Sequence, residues 1–99
     1  MHVISRKAIR DYCKVHPIAT ESLDYWFRIV KKADWTNFAE LRKTFSNADM
    51  VGKCIVFNIG GNNYRLISKI YFKDQVCLIR NILSHAEYDK NNWKPNCEA

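Results

Sequence analysis

The alternation of apolar and polar positions is clearest between residues 54 and 83, where it predicts three short β-strands. The first, residues 54–59, is apolar and rich in β-branched side chains, and it ends at Gly60-Gly61-Asn62-Asn63, residue types that tolerate the positive φ of tight turns. The second covers residues 63–72 and the third residues 76–83, with Lys73-Asp74-Gln75 as the turn between them. Because short turns join consecutive strands, the pattern predicts an antiparallel meander.

The second predicted strand has two different faces, because alternate side chains point to opposite sides of a strand. One face is apolar apart from a small serine, and consists of Tyr64, Leu66, Ser68, Ile70 and Phe72. The other carries two cations, and consists of Asn63, Arg65, Ile67, Lys69 and Tyr71. The alternation therefore predicts a sheet with one buried face and one working face. In the third strand, Arg80 breaks the apolar pattern and lies either at a sheet edge or over the working face.

Helical periodicity begins near the N-terminus of the chain. A short strand over residues 1–4 is followed by Ser5, a typical helix N-cap, and by a helix over residues 5–15. This helix must end by His16, because Pro17 disfavours the helical conformation in the residue before it.

Two further helices are predicted before the meander. Residues 20–32 carry an apolar stripe with the i, i+3, i+4, i+7 spacing of a core-facing helix, and the stripe consists of Leu23, Trp26, Phe27 and Val30. A shorter helix is expected within residues 35–45, followed by a loop over residues 46–52. The predicted fold class is α+β, with N-terminal helices packed on one face of a small, mostly antiparallel sheet.

The length and charge of the chain limit the number of domains, the location and the kinds of binding partner that we expect. Its 99 residues, 47% of them hydrophobic, predict one domain with its own core. The apolar runs are too short to span a membrane, and the N-terminus lacks the apolar centre of a secretion signal, so we expect a cytoplasmic protein with no membrane partner. A net charge of +6 is typical of domains that bind nucleic acid or an acidic protein, although ordinary solubility charge explains it as well.

The four cysteines do not predict a metal site. Cys13, Cys54, Cys77 and Cys97 form no C-x-x-C pair and have no accompanying histidine pair. Cys54 and Cys77 lie in strand patterns and are expected to be buried as small hydrophobic side chains. Disulfides are not expected in a cytosolic protein. We therefore expect no metal and no cofactor.

The polar residues of the working face suit one reaction, the cleavage of RNA without a metal ion. The 2′-hydroxyl must lose a proton, the leaving 5′-oxygen must gain one, and fixed cations must stabilise the phosphoryl oxygens. Arg65 offers a donor fork for phosphate, and Lys69, about 13 Å further along the strand, suits a neighbouring phosphate. His85 can exchange a proton near neutral pH, and Tyr88 and Lys90 follow it closely.

Each of these residues also has an ordinary structural explanation. Cations that alternate with apolar residues usually form a solvated sheet face, and a histidine after a strand is often a capping residue. Tyr88 fits a packing role at the sheet edge, and Asn58 and Asn62 fit a role in shaping the hairpin. The residues considered singly are therefore not specific.

Two ordered motifs are more specific as a set. Phe57-Asn58-Ile59-Gly60-Gly61-Asn62 is followed by Tyr64-Arg65-Leu66, and Ser84-His85 is followed by Glu87-Tyr88-Asp89. Together with the start MHVISRKAIRDYCKVHP, these motifs resemble the HigB-type toxins of bacterial toxin–antitoxin systems, within the RelE-like superfamily. The resemblance covers residues 1–90. Residues 91–99 lie outside it and are expected to form a flexible tail of the single domain.

The resemblance implies a function that the residues alone do not show. Toxins of this type are endoribonucleases (mRNA interferases) that cut mRNA in the ribosomal A site and inhibit translation. A helix-turn-helix antitoxin of HigA type holds them inactive, and contact with operator DNA occurs only through that antitoxin. The implied catalytic residues are Arg65, His85 and Tyr88, and the implied substrate-binding residues are Lys69, Lys90, Asn58 and Asn62. Basic helix surfaces are expected to contact rRNA, through Arg28, Lys31, Lys32, Arg42 and Lys43.

Two other functions remain open at this point. A non-catalytic RNA-binding or ribosome-binding module explains the charge and the aromatic residues, but it gives no role to the His85–Tyr88 segment. A RelE-like toxin that acts on a target other than mRNA is the second alternative. Detection of new RNA ends separates an enzyme from a binding module.

Overall fold

A computed structural model describes residues 1–98, which form a five-stranded sheet with helices on both of its faces. The strands are β1 (His2–Ile4), β2 (Asp49–Val51), β3 (Cys54–Ile59), β4 (Tyr64–Tyr71) and β5 (Val76–Ser84). The helices are α1 (Arg6–Val15), α2 (Thr20–Lys32), α3 (Phe38–Thr44), α4 (His85–Asp89) and α5 (Pro95–Glu98), with a 3₁₀ turn at Pro17–Ala19. The predicted α+β class is confirmed.

The strands are arranged in the order β1-β5-β4-β3-β2. The predicted meander of β3, β4 and β5 is confirmed as antiparallel, while β1 pairs parallel to β5 at one edge. The loop expected over residues 46–52 is wrong in part, because Asp49–Val51 form β2, which pairs with β3. This three-residue strand has two exposed positions, so it carries no hydrophobic alternation that sequence analysis detects.

The N-terminal helices start at the expected caps. The Ser5 hydroxyl accepts a hydrogen bond from the Ala8 N–H at the start of α1, and α2 has the predicted bounds. Helix α3 lies within the predicted residues 35–45 and starts at residue 38, because the Asn37 side chain accepts a hydrogen bond from the Glu40 N–H. Of the α2 stripe, Leu23, Trp26 and Val30 are buried.

The main core lies between these helices and the apolar face of the sheet. The Phe57 ring on β3 packs edge-on against Trp26 of α2 and against Phe45, with centroid distances of 5.4 and 5.2 Å. The Ser68 hydroxyl on β4 is fully buried and donates a hydrogen bond to the Ile55 carbonyl. The predicted alternation of β4 is confirmed, since Leu66 and Ile70 belong to this core.

A β-bulge explains the position of Arg80. Ile67 pairs with Asn81 and Ser68 with Ile79, so Arg80 has no partner in the register and its side chain is exposed. The extra residue shifts the alternation of β5, which returns Ile82 to the main core.

The second face of the sheet is not a fully open working face, which corrects the prediction. Trp93 and Cys97 are buried there against Cys54, Val56 and Ile67. These five residues form what we call the second core. The sheet is therefore covered on both sides over much of its area.

Two expectations about the C-terminus are also corrected. A disulfide bond joins Cys54 to Cys97, although disulfides were not expected. Residues 91–98, expected to be a flexible tail, include α5 and are packed on the sheet, and Ala99 lies outside the described residues. Cys77 is buried as expected, and Cys13 is a second free thiol. Over residues 1–98, none of the helices is both long and apolar enough to cross a membrane.

Candidate active site

Arg65 is a buried cation on the second face of the sheet. Its side chain is only 8% exposed, and one guanidinium nitrogen, Nη1, donates a hydrogen bond to the Tyr64 carbonyl. None of the ion pairs within residues 1–98 includes Arg65. Because an unpaired buried charge is costly, this environment favours an anionic ligand.

Arg65 opens onto a cleft of about 410 Å³. Asn58 also lines this cleft, and it is the direct partner of Arg65 in the β3–β4 register, so the two side chains are neighbours on the same face. The other polar residues that line the cleft are Arg42, Ser46, Asn47, Asp49 and Tyr88. We call this site the Arg65 cleft. It offers cationic, amide and phenolic donors to a ligand that enters it.

Tyr88 is placed over Arg65 by the way α4 begins. The Ser84 hydroxyl accepts from the Glu87 N–H, and the Glu87 carboxylate accepts from the Ser84 N–H, which is a complete capping box. The helix therefore starts immediately after β5. The Arg65 Cζ atom lies 5.2 Å from the centroid of the Tyr88 ring, within the range of a cation–π contact.

The environment of Tyr88 keeps its phenol protonated. Burial raises the pKa of Tyr88 above its ordinary value; the Arg65 charge opposes that change, and the Asp49 and Asp89 charges add to it. At neutral pH the hydroxyl is therefore a hydrogen-bond or proton donor rather than a base.

A second aromatic side chain holds Tyr88 from the C-terminal segment. The Trp93 and Tyr88 rings are stacked, with centroids 4.9 Å apart and planes inclined by 15°. The Trp93 Nε1–H also donates to the Tyr88 carbonyl at 2.9 Å. Trp93 therefore contacts both the ring and the backbone of Tyr88.

His85 has a different environment from Arg65 and Tyr88. It is the first residue of α4, and its exposed side chain places Nε2 3.3 Å from Asp89 Oδ2. It is absent from the described residues that line the Arg65 cleft. The structure thus brings Arg65, Tyr88 and Asn58 together and leaves His85 outside their cleft, three residues from Tyr88 on the short helix.

The remaining predicted site residues also lie outside the Arg65 cleft. Lys69 is half-buried on the same strand and pairs with Leu78 of β5. Lys90 lines a smaller, separate cleft together with Glu87 and Trp93. Asn62 is exposed in the β3–β4 turn. Within residues 1–98, no group of three His, Cys, Asp or Glu side chains is arranged to hold a metal ion.

Sequence analysis missed several residues of the site. Arg42 was expected only as part of a basic surface, yet it lines the Arg65 cleft and donates to the Ser46 carbonyl. Asn47 and Asp49 lie in or next to β2, whose pairing with β3 brings them to the cleft. Trp93 lies in the segment expected to be a tail. Its isolated aromatic side chain in a polar stretch was the available signal.

The fold is thus a small α+β domain in which a buried arginine lies beside a tyrosine at a polar cleft. Similarity to known proteins identifies the family to which the chain belongs. The model of the HigB_toxin family, described as the RelE-like toxic component of a toxin–antitoxin system, matches residues 19–91. The chain belongs to this family, which confirms the resemblance.

Curated relatives extend the match over most of the chain. The chain is 33% identical to "mRNA interferase HigB" of Escherichia coli O6:H1 over 93 residues, which cover 91% of this chain and 90% of that protein. It is 32% identical to "mRNA interferase toxin HigB" of Escherichia coli K12, over 90% of this chain and 88% of that protein. The same identity and coverage apply to "mRNA interferase HigB" of Shigella flexneri.

Proposed function

We propose that this protein is the toxin of a type II toxin–antitoxin system and an mRNA interferase, an endoribonuclease that inhibits translation by cutting mRNA. Membership of the HigB toxin family and the names of its relatives support this proposal. The structural observation that carries it is Arg65, a buried cation with no ion-pair partner among the described residues, which opens onto a polar cleft. A phosphodiester supplies the missing anion.

Arg65 binds the scissile phosphate in this proposal. A guanidinium presents several N–H donors in a fixed plane and matches two phosphoryl oxygens at once. Its charge stabilises the extra negative charge that develops when the 2′-oxygen attacks phosphorus. The Arg65 charge takes the role that a metal ion has in other nucleases. The expected products carry a 2′,3′-cyclic or 3′-phosphate and a 5′-hydroxyl.

Tyr88 and His85 share the proton transfers in the proposed mechanism. The 2′-hydroxyl proton passes to the His85 imidazole as the O2′–P bond forms, and a proton passes to the 5′-oxygen as the P–O5′ bond breaks. Tyr88 suits the second role, because a phenol that is protonated at neutral pH can donate to the leaving oxygen. Orientation of the 2′-hydroxyl or stacking on a base are the other contributions open to Tyr88.

The remaining contacts belong to binding. Asn58 lies beside Arg65 and suits a hydrogen bond to the nucleotide at the cleavage site. Asn62, Lys69 and Lys90 lie outside the Arg65 cleft and suit neighbouring phosphates of an extended mRNA. The exposed basic residues of α2 and α3 suit electrostatic contact with rRNA around the ribosomal A site.

Partners and location follow from the same proposal. The partner protein is a helix-turn-helix antitoxin of HigA type, which blocks the toxin and carries it to operator DNA. The protein acts in the cytoplasm, where mRNA is translated.

The test is mapping of mRNA 5′ ends after purified protein is added to a translating extract, with and without ribosomes. New 5′-hydroxyl ends at in-frame positions, formed only with ribosomes, are the expected result. Cleavage without ribosomes would remove the A-site proposal but keep the nuclease. Folded, antitoxin-free protein that binds RNA and produces no new ends would support a binding module instead.

A further inference from the structure

We propose that Trp93 is a positioning residue of the active site, which fixes the Tyr88 ring next to Arg65. The C-terminal segment, residues 91–98, would then be part of the catalytic machinery rather than an appendage. Trp93 lies beyond residues 19–91, the range that the family model matches. The inference rests on the proposed function for the catalytic role of Tyr88, and its tests are separable from that function.

Two contacts of Trp93 act on Tyr88 in different ways. The stacked indole covers the Tyr88 ring and limits its rotation. The Nε1 hydrogen bond to the Tyr88 carbonyl fixes the backbone at the last turn of α4. A five-residue helix is too short to be rigid by itself, so tertiary contacts must set the direction of the Tyr88 side chain.

The position of Trp93 is itself anchored to the sheet. Cys97, four residues further on, is bonded to Cys54 of β3, and its carbonyl accepts a hydrogen bond from the Lys53 N–H. Gly52 has a φ of +58°, and a Cβ atom there would overlap the Cys97 carbonyl oxygen. The turn between β2 and β3 is therefore shaped to receive the C-terminal segment.

The arrangement forms a continuous path from the sheet to the reacting groups. The disulfide holds α5 on β3, α5 holds Trp93, and Trp93 holds Tyr88 at the Arg65 guanidinium. Trp93 is 3% exposed, so the Tyr88 ring stacks on a buried indole although Tyr88 itself is only half-buried at the Arg65 cleft. Displacement of a reacting group by about 1 Å can reduce a rate 100-fold, which makes such support chemically significant.

A purely structural role for Trp93 must be separated from positioning, because Trp93 also buries Val56 and Ile67 in the second core. Trp35 offers a matched control. It is 8% exposed, packs against Phe45 in the main core and is not among the residues that line the Arg65 cleft. Trp93→Leu and Trp35→Leu remove the same atoms from two different cores.

The first readout is ribosome-dependent cleavage at saturating substrate. We expect Trp93→Leu to lower kcat by about 10-fold or more with little change in KM, while Trp35→Leu lowers thermal stability without that loss of kcat at permissive temperature. In a Tyr88→Ala background, Trp93→Leu should cause no further loss of kcat, because Trp93 acts through Tyr88. Equal losses for both tryptophan variants, or losses that multiply in the double variant, would overturn the proposal.

The second readout is the titration of Tyr88, followed by NMR of ring-labelled tyrosine, which needs no activity. Burial raises the pKa of Tyr88, so Trp93→Leu should return it towards its ordinary value and Trp35→Leu should not. If the wild-type protein cuts no RNA, the proposed function fails while this titration still tests positioning. An unchanged titration in folded Trp93→Leu overturns the inference.

A conservative variant keeps the test decisive if Trp93→Leu does not fold. Trp93→Phe keeps an aromatic ring for the stack but loses the hydrogen bond to the Tyr88 carbonyl. Loss of the hydrogen bond from Trp93 to the Tyr88 carbonyl predicts a decrease in kcat of about 3-fold. It also predicts a shift of the backbone NMR signal of Tyr88. If Trp93→Phe changes neither kcat nor that signal, Trp93 does not position Tyr88.

Discussion

The guanidinium of Arg65 lies over the ring of Tyr88, with 5.2 Å between the Arg65 Cζ atom and the ring centroid. The two residues come from different elements, β4 and α4, and their approach depends on the capping box that starts α4 directly after β5. The contact places a permanent cation beside a protonated phenol at an open cleft. A phosphate bound to Arg65 therefore lies next to a proton donor.

Substitution of Arg65 should separate activity from stability. We expect Arg65→Ala to lower cleavage by about 100-fold or more, because the main cation of the Arg65 cleft is lost. Arg65→Leu should keep or raise the melting temperature, since it removes a buried charge without an ion-pair partner among the described residues. Thermal melts and 5′-end mapping on the same samples measure both effects.

Arg80 provides the control for that comparison. It is an exposed arginine at the β5 bulge of the same sheet, so Arg80→Ala changes the net charge equally and should leave cleavage within about 3-fold. A similar loss of cleavage for both alanine variants would mean that general charge, not the Arg65 position, supports activity.

Most of the fold follows from local sequence signals. The apolar stripe of α2 and the alternation of β4 each mark one core-facing side, and Ser5, Pro17 and the Gly60-Gly61 turn mark the ends of elements. The second core did not follow from such signals. Cys54 and Cys97 are 43 residues apart, and nothing local indicates that the C-terminal segment returns to the sheet.

The site was predictable to the extent that it lies on one strand pair. Asn58 and Arg65 are neighbours because the β3–β4 hairpin fixes their register. Tyr88, the third predicted residue at the Arg65 cleft, was indicated by the sequence motif that contains it. The contributions of Arg42, Asp49 and Trp93 depend on long-range packing, which spacing along the chain does not reveal. The motif also contains residues with structural roles, since Glu87 completes the capping box of α4.

His85 gives the sharpest test of the proposed proton transfers. His85→Gln keeps a polar side chain of similar size and should lower kcat by about 100-fold if the imidazole is the general base. Asp89→Asn, which removes the exposed carboxylate 3.3 Å from the His85 Nε2 atom, should change stability little and kcat only a few-fold. Single-turnover cleavage across pH 5–9 measures both variants. A His85→Gln variant with normal kcat would exclude His85 as the base and leave that role to a group that lines the Arg65 cleft.

Tyr12 predicts a loss of stability in alkali. Its hydroxyl is buried without a hydrogen-bond partner among the described residues, and burial raises its pKa to about 12, with smaller contributions from Glu87 and Tyr64. The unfolded state releases this proton near pH 10 and the folded state only near 12, so stability falls as the pH rises between these values. Denaturant unfolding at pH 9, 10 and 11 should show a smaller decline in Tyr12→Phe than in the wild type. Equal declines would contradict the assignment.

The Cys54–Cys97 bond should make stability depend on reduction. A crosslink between residues 43 positions apart restricts the unfolded chain, and its loss is expected to lower the free energy of unfolding by about 2–4 kcal/mol. Denaturant unfolding with and without dithiothreitol measures the effect in the wild type.

Two serine variants serve as controls. The stability of Cys97→Ser should equal that of the reduced wild type and should not change with dithiothreitol. Cys13→Ser, which removes a free thiol, should have the stability of the wild type under both conditions. A wild type unaffected by dithiothreitol would mean that packing of Trp93 and Cys97, rather than the bond, holds the C-terminal segment. The kcat of the reduced protein then measures how far Trp93, without the Cys54–Cys97 bond, keeps Tyr88 at Arg65.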